Sequence, residues 1–313
     1  MPNEILNEQT SKLVSVNSAA NSTSSVPDAV IKAMKEHYAS GFRFGTTFVN
    51  LLSNASGVEV DESMQERLKR IMFRRTDGIY FLFDVVTDAT TRKDIIGFSD
   101  TYLHEYGCFE LSELYKHFEV KVNPTCIRNA DDFEDFYNCI GKSDVRCVQA
   151  PGIGNRIARY SNDAVWSAFA EVAEKIISVI KDEYYGSCNE DDLHTQFRAF
   201  SKDLLSKIIK QYAADELIRV KINDSVCYQT FDALGLPKNF SEDLSEILER
   251  ICDIGLTPTQ ETLHTALSLK LGVNFRVEYN LPDWETYRRL IAAFYKSGPH
   301  REWKSNIFGE VTR

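Results

Sequence analysis

The residues best placed to do chemistry lie in one basic stretch. Gln65–Arg75 carries Arg67, Lys69, Arg70, Arg74 and Arg75 against a single acid, Glu66. Read as a helix, it sets Leu68, Ile71 and Met72 at i, i+3 and i+4, facing a core, and places Arg67, Arg70 and Arg74 on another face. A helix of this kind laid in the major groove of DNA reaches phosphates and guanine edges with its arginines. The same face could also be solvated, paired with acid from the rest of the chain, or turned towards a protein. A second group, Lys202, Lys207, Lys210, Arg219 and Lys221, is diluted by Asp203, Asp215 and Glu216. The candidate nucleic-acid-binding set is thus Arg67, Lys69, Arg70, Arg74, Arg75, Lys207, Lys210, Arg219 and Lys221. The acidic run Asp131-Asp132-Phe133-Glu134-Asp135 cannot lie against phosphate, and the basic side of its neighbourhood is Arg146, Arg156 and Arg159.

Other chemistries find less support. Pro151-Gly152-Ile153-Gly154-Asn155 has two of the glycines a phosphate loop needs, but no helix follows closely, so a turn is expected. His104, Cys108, His117 and Cys126 lack the close-spaced pairs of a zinc site. There is no GxSxG elbow, HExxH helix or Walker loop. The expectation is a protein without enzymatic activity, with no catalytic residues, no cofactor and no metal. The seven cysteines, Cys108, Cys126, Cys139, Cys147, Cys188, Cys227 and Cys252, are odd in number and irregular in spacing, which suits reduced thiols.

The bulk composition narrows the partners. A formal net charge of −10 argues against whole-protein attraction to DNA or to an anionic membrane, so any nucleic-acid contact must be local. No apolar run approaches the roughly 18 residues of a membrane span, and the first residues lack a basic-then-apolar pattern, so a cytoplasmic protein is expected. At 43% hydrophobic, the 313 residues suffice for a core.

These groups must be positioned by a repeating order of elements. After a leader, 1–26, rich in Ser, Asn and Thr, helices are expected at 28–40, 46–54 and 61–75, followed by a Thr76-Asp77-Gly78 turn and a strand over 79–86. Helices then fall at 94–106, 110–118 and 130–140, with strands over 145–148 and 156–160. A third round places helices at 163–185, 190–200 and 202–214. Leu217–Ile222 and Val226–Thr230 flank Asn223-Asp224, a hairpin by turn chemistry. The tail predicts a helix capped by Ser241, another starting at Thr257-Pro258, a strand over 275–279 and a last helix over 283–296.

In this order of elements, residues 163–231 resemble a winged-helix (helix-turn-helix) domain, and 28–86 and 92–160 resemble further copies. The resemblance implies a mainly α protein with short β-hairpins. Its parts are a flexible leader (1–26), three winged-helix-like units (27–90, 91–161 and 162–238) and a helical C-terminal unit (239–313). It also implies either of two functions: a DNA-binding regulator or component of a DNA-handling system, or an adaptor whose winged helices hold proteins. Phe275, Tyr279, Trp284, Tyr287, Phe294, Tyr295, Trp303 and Phe308, with Arg288, Arg289 and Arg301, have the composition of a protein-binding or homo-oligomer surface, or of a helix packed on the array.

Overall fold

The computed structural model describes residues 26–150, 153–162, 165–256 and 259–295. Most of the leader, Pro151-Gly152, Asp163, Thr257-Pro258, Lys296, Arg301, Trp303 and Phe308 therefore lie outside the described residues. The chain is mainly helical with small antiparallel sheets of two or three strands. It divides into two compact units, one formed by residues up to Thr101 with Leu114–Cys147, the other by Tyr102–Glu113 with residues from Val148 onward.

One order of elements recurs three times. The first round is α1 (Asp28–His37), an isolated bridge at Phe42, α2 (Thr46–Ser56), α3 (Glu62–Lys69), β1 (Met72–Arg74) and β2 (Tyr80–Leu82). After a short α4 (Phe83–Val86), the second is α5 (Ala89–Tyr106), β3 (Cys108–Glu110), α6 (Leu111–Phe118), α7 (Ala130–Ile140), β4 (Val145–Gln149) and β5 (Arg156–Tyr160). The third is α8 (Val165–Asp182), β6 (Ser187–Asn189), α9 (Glu190–Gln196), α10 (Lys202–Tyr212), β7 (Leu217–Ile222) and β8 (Ser225–Thr230). The sheets are ordered β3-β5-β4 and β6-β8-β7, so each round's first strand pairs with its last. In the first round Phe42 bridges Tyr80 on β2 in the same sense.

The local causes are visible. Asp61, Asn129 and Ser201 cap α3, α7 and α10 by accepting the N–H of Met64, Asp132 and Leu204. The β7–β8 hairpin turns on Asn223 and Asp224, both at positive φ (50° and 66°), as a type I′ turn requires.

Several expected boundaries move. α3 stops at Lys69 because Arg70 and Ile71 close a tight turn on the Arg67 and Leu68 carbonyls. Met72–Arg74 then pairs with Tyr80–Leu82, and buried Phe73 stacks on buried Phe81 at 5.5 Å. The apolar run 71–73 thus follows a sheet, and only the first part of the expected 61–75 helix forms. Leu68 and Met72 are nevertheless buried, with Ile71 packed against them. Phe83–Val86 is helical, where the expectation extended the strand. α5 begins earlier, at Ala89, with the Asp88 carboxylate accepting the Thr91 N–H. α8 and α9 end earlier than expected, at Asp182 and Gln196, and the three-residue strands β3 and β6 add to the expected elements.

The tail is wholly helical where described: α11 (Phe240–Asp253), α12 (Gln260–Leu271), α13 (Phe275–Glu278) and α14 (Trp284–Phe294). The strand expected over 275–279 is a helical turn, because Asn274 caps it through the Val277 N–H and buried Phe275 stacks on Phe240 at 5.5 Å. Asn239, not Ser241, precedes α11; the Ser241 hydroxyl instead donates to the Phe294 carbonyl at 2.8 Å. α14 starts one residue later than expected, at Trp284, with Asp283 as its cap accepting the Thr286 N–H. Phe240, Leu244, Leu263, Leu267, Tyr287 and Leu290 form the core here together with Ile218 and Val220 of β7, each burial stabilising by about 1.5–3 kcal/mol.

Tyr287 carries a flaw in that core. It is fully buried and its hydroxyl has no hydrogen-bond partner; burial pushes that phenol well above its usual range. Tyr287→Phe removes a desolvated hydroxyl and should raise stability by about 1 kcal/mol in urea unfolding. A lowered midpoint would mean that the hydroxyl is satisfied.

Candidate nucleic-acid interface

The basic residues of the first round do not form one face. Arg67, half-buried, donates from Nε to the Ser63 carbonyl at 3.4 Å. Lys69 pairs with Glu66 at 2.6 Å and lies over the Phe44 ring. That hydrogen bond holds the Glu66 carboxyl below its usual range and the Lys69 ammonium above. Arg70 is exposed at the end of α3. Arg74, expected on the helix beside Arg67 and Arg70, stands instead on β1, exposed and 6.0 Å from the Tyr80 ring centroid. Neither Arg70 nor Arg74 makes an ion pair with an acid among the described residues.

Arg75 leaves the surface altogether, at 5% exposure. Its Nε and Nη2 donate to Asp77 Oδ2 at 3.0 and 2.8 Å, and Nη1 donates to the carbonyls of Thr125 and Cys126, each at 3.1 Å. Arg75 is therefore a clamp between the 76–78 turn and the 125–126 segment, with no free edge for a phosphate. The acids of α7 are also engaged. Asp132 accepts from Arg128 Nε at 2.7 Å, and Asp135 accepts from the Thr76 N–H and hydroxyl at 2.6 and 2.7 Å.

In the third round the cations are largely matched by acids. Lys202 pairs with Asp191, Lys207 with Asp203 at 2.7 Å, Lys210 with Glu285 at 2.5 Å and Lys221 with Asp224 at 2.9 Å. Lys207 also donates to the Ile153 carbonyl at 3.1 Å. Arg219 is half-buried beside a cavity of about 180 Å³ lined also by Tyr228, Glu285 and Arg289. Arg159 donates to the Tyr160 carbonyl at 2.8 Å.

The aromatic tail is spent mainly on the core. Phe275 and Tyr287 are fully buried, while Tyr279, Trp284, Phe294 and Tyr295 pack against that core from its edge. Arg276 lies 4.4 Å from the Trp284 ring centroid. A polar hub that the sequence did not flag is Glu110. At 5% exposure it accepts from the Ser201 N–H, Asn155 Nδ2 and Ser112 Oγ, each at 2.8 Å. An acid directly before α6 carried no signal of a partner ninety-one residues away.

All seven cysteines are free thiols, and Cys108, Cys126, Cys188 and Cys227 are buried. Burial pushes Cys108 and Cys188 up to about 12 and Cys126 to about 11. A thiol whose folded value is raised contributes fully below its unfolded value, and that contribution is lost as pH rises towards the folded value. Stability should hold to about pH 8.5 and fall above it as the unfolded thiols ionise. Native protein at neutral pH should label first at exposed Cys139, and all seven should react only in denaturant. Immediate labelling of Cys108 would contradict this. Among the described residues no group of three His, Cys, Asp or Glu side chains comes together to hold a metal ion, and no helix is long and apolar enough to cross a membrane.

The chain matches no protein-family model and no curated protein.

Proposed function

We propose that this chain is a non-enzymatic assembly or adaptor protein, built from tandem winged-helix units that hold protein partners. The winged-helix reading rests on the order helix, strand, helix, helix, strand, strand, complete in two rounds with the first strand paired to the last, and present in the first round with the Phe42 bridge in place of the first strand. The choice of protein over DNA rests on one observation: the third helix of each round offers no positive face. α3 pairs Lys69 with Glu66, α7 is acidic, and α10 pairs Lys202, Lys207 and Lys210 with acids. Phosphates approaching there would meet the carboxylates that stand beside these lysines, so the helix presents no net positive field. Apolar side chains meanwhile stand exposed within the rounds themselves, among them Val120 between α6 and α7 at 92% and Tyr185 between α8 and β6 at 91%.

A second reading, DNA binding by the first round, is favoured by exposed Arg70 and Arg74, which form no ion pair among the described residues, Arg70 acting on Glu66 only at longer range. The two readings separate under substitution. In a pull-down, wild type should retain a protein partner that Val120→Asp with Tyr185→Asp loses and that Arg70→Ala with Arg74→Ala keeps. The opposite pattern would favour the second reading.

A further inference from the structure

A cavity of about 460 Å³ lies beside the end of β7 and the segment from α12 to Pro282. Lys221, His264, Asn274, Arg276 and Asn280 line it together with apolar Leu281, and none of its lining residues is acidic. Two buried nitrogens of these residues, Nδ1 of His264 and Nε of Arg276, have no hydrogen-bond partner. Native proteins rarely leave such groups unpaired, and both belong to residues that line this one cavity.

Both groups are already held in place. Arg276 Nη2 donates to the Pro282 carbonyl at 3.2 Å, and its guanidinium lies over the Trp284 ring. The His264 ring meets Trp284 and Tyr287 edge-on at 5.6 and 5.8 Å. The Asn280 carbonyl accepts the Lys221 N–H at 2.9 Å, which ties the strand to the opposite wall. Little side-chain ordering remains for a ligand to induce. Lys221 pairs with Asp224, but Asp224 is 95% exposed, so the pair is solvated and easily exchanged. Burial first, and then the nearby Arg276 charge, hold the His264 imidazole below its usual range; a bound anion would relieve the second effect.

We propose that this cavity binds the phosphate group of a small phosphomonoester, held by Arg276, His264 and Lys221 with the amides of Asn274 and Asn280. Donors reaching the site from a strand, two helices and a loop suit a tetrahedral dianion better than a flat carboxylate. The volume exceeds what one oxyanion fills, which leaves room for an organic group against Val277 and Leu281.

The test is a titration of the full chain at constant ionic strength with inorganic phosphate, ribose 5-phosphate and acetate, read by thermal midpoint and tryptophan fluorescence. Phosphate should give saturable stabilisation, and the sugar phosphate should bind more tightly. Arg276→Gln and Lys221→Gln should each weaken binding about tenfold or more. Lys221 is exposed, so its variant keeps the test valid if Arg276→Gln fails to fold. Equal stabilisation by acetate, no saturation by phosphate, or unchanged affinity in the folded variants would overturn the assignment.

Discussion

Arg75→Met should lower the stability of the first unit by about 3 kcal/mol, read as a fall in the urea midpoint. The replacement has similar length but removes every hydrogen bond of the clamp. The Thr125 and Cys126 carbonyls lose their donor, and Asp77 loses the closer of its two ion pairs, keeping Arg128 at 3.6 Å. Asp77 is 35% exposed, so water recovers part of its loss, which places the effect at the lower end for a broken buried pair. Arg75→Lys should recover only part, because an ammonium cannot span the carboxylate and two carbonyls at once. The pH dependence has a definite sign. The Arg75 hydrogen bond, ahead of other causes, holds the Asp77 carboxyl below its usual range, so the stability it supplies is present above about pH 4 and lost as pH falls further. In the Met variant that acid-side loss should shrink. A change below about 0.5 kcal/mol would show that the clamp is not structural.

Glu110→Ala should destabilise the second unit by about the same amount, roughly 3 kcal/mol. The carboxylate satisfies the backbone N–H of Ser201, the residue that caps α10, and it anchors Asn155 of the β4–β5 connection. Its own N–H donates to the Ala199 carbonyl at 2.8 Å, so β3 and the start of α10 are joined from both sides. Removing the side chain takes the acceptor from three part-buried donors. Glu110→Gln should not rescue fully, since its amide nitrogen would place a donor against a donor. If the glutamine variant matched wild type, the carboxylate would not be accepting all three bonds.

How much of this could be read in advance follows from the range of each interaction. Caps at Asp61 and Ser201, and the Asn223-Asp224 turn, act over three or four residues and are legible in the sequence. The strands β3 and β6 are not, because three residues become a strand only when a distant strand pairs with them: Cys108 with Arg159, Ser187 with Gln229. The end of α3 was misplaced for the same reason. Helical spacing of Leu68, Ile71 and Met72 was real, but packing of Phe73 on Phe81 overrode it, and that moved Arg74 off the helix and buried Arg75. The candidate cations were legible as residues and their partners were not. Nothing near Lys210 in sequence announces Glu285. The cavity around His264 and Arg276 combines residues from β7 to Pro282 and carries no motif.

If, as proposed, the units hold proteins, their third helices should not read DNA. Fluorescence anisotropy with labelled random-sequence duplex tests it most directly, at roughly 50 and 200 mM salt, a span over which six to ten phosphate contacts would change affinity about 10³–10⁵-fold. With the α10 lysines paired to acids and Arg75 buried, wild type should show no saturable binding in the micromolar range even at the lower salt. Saturable, salt-dependent binding whose log–log slope falls by about 2 to 3 in Arg67→Ala/Arg70→Ala/Arg74→Ala protein would contradict it and make the first round a DNA reader.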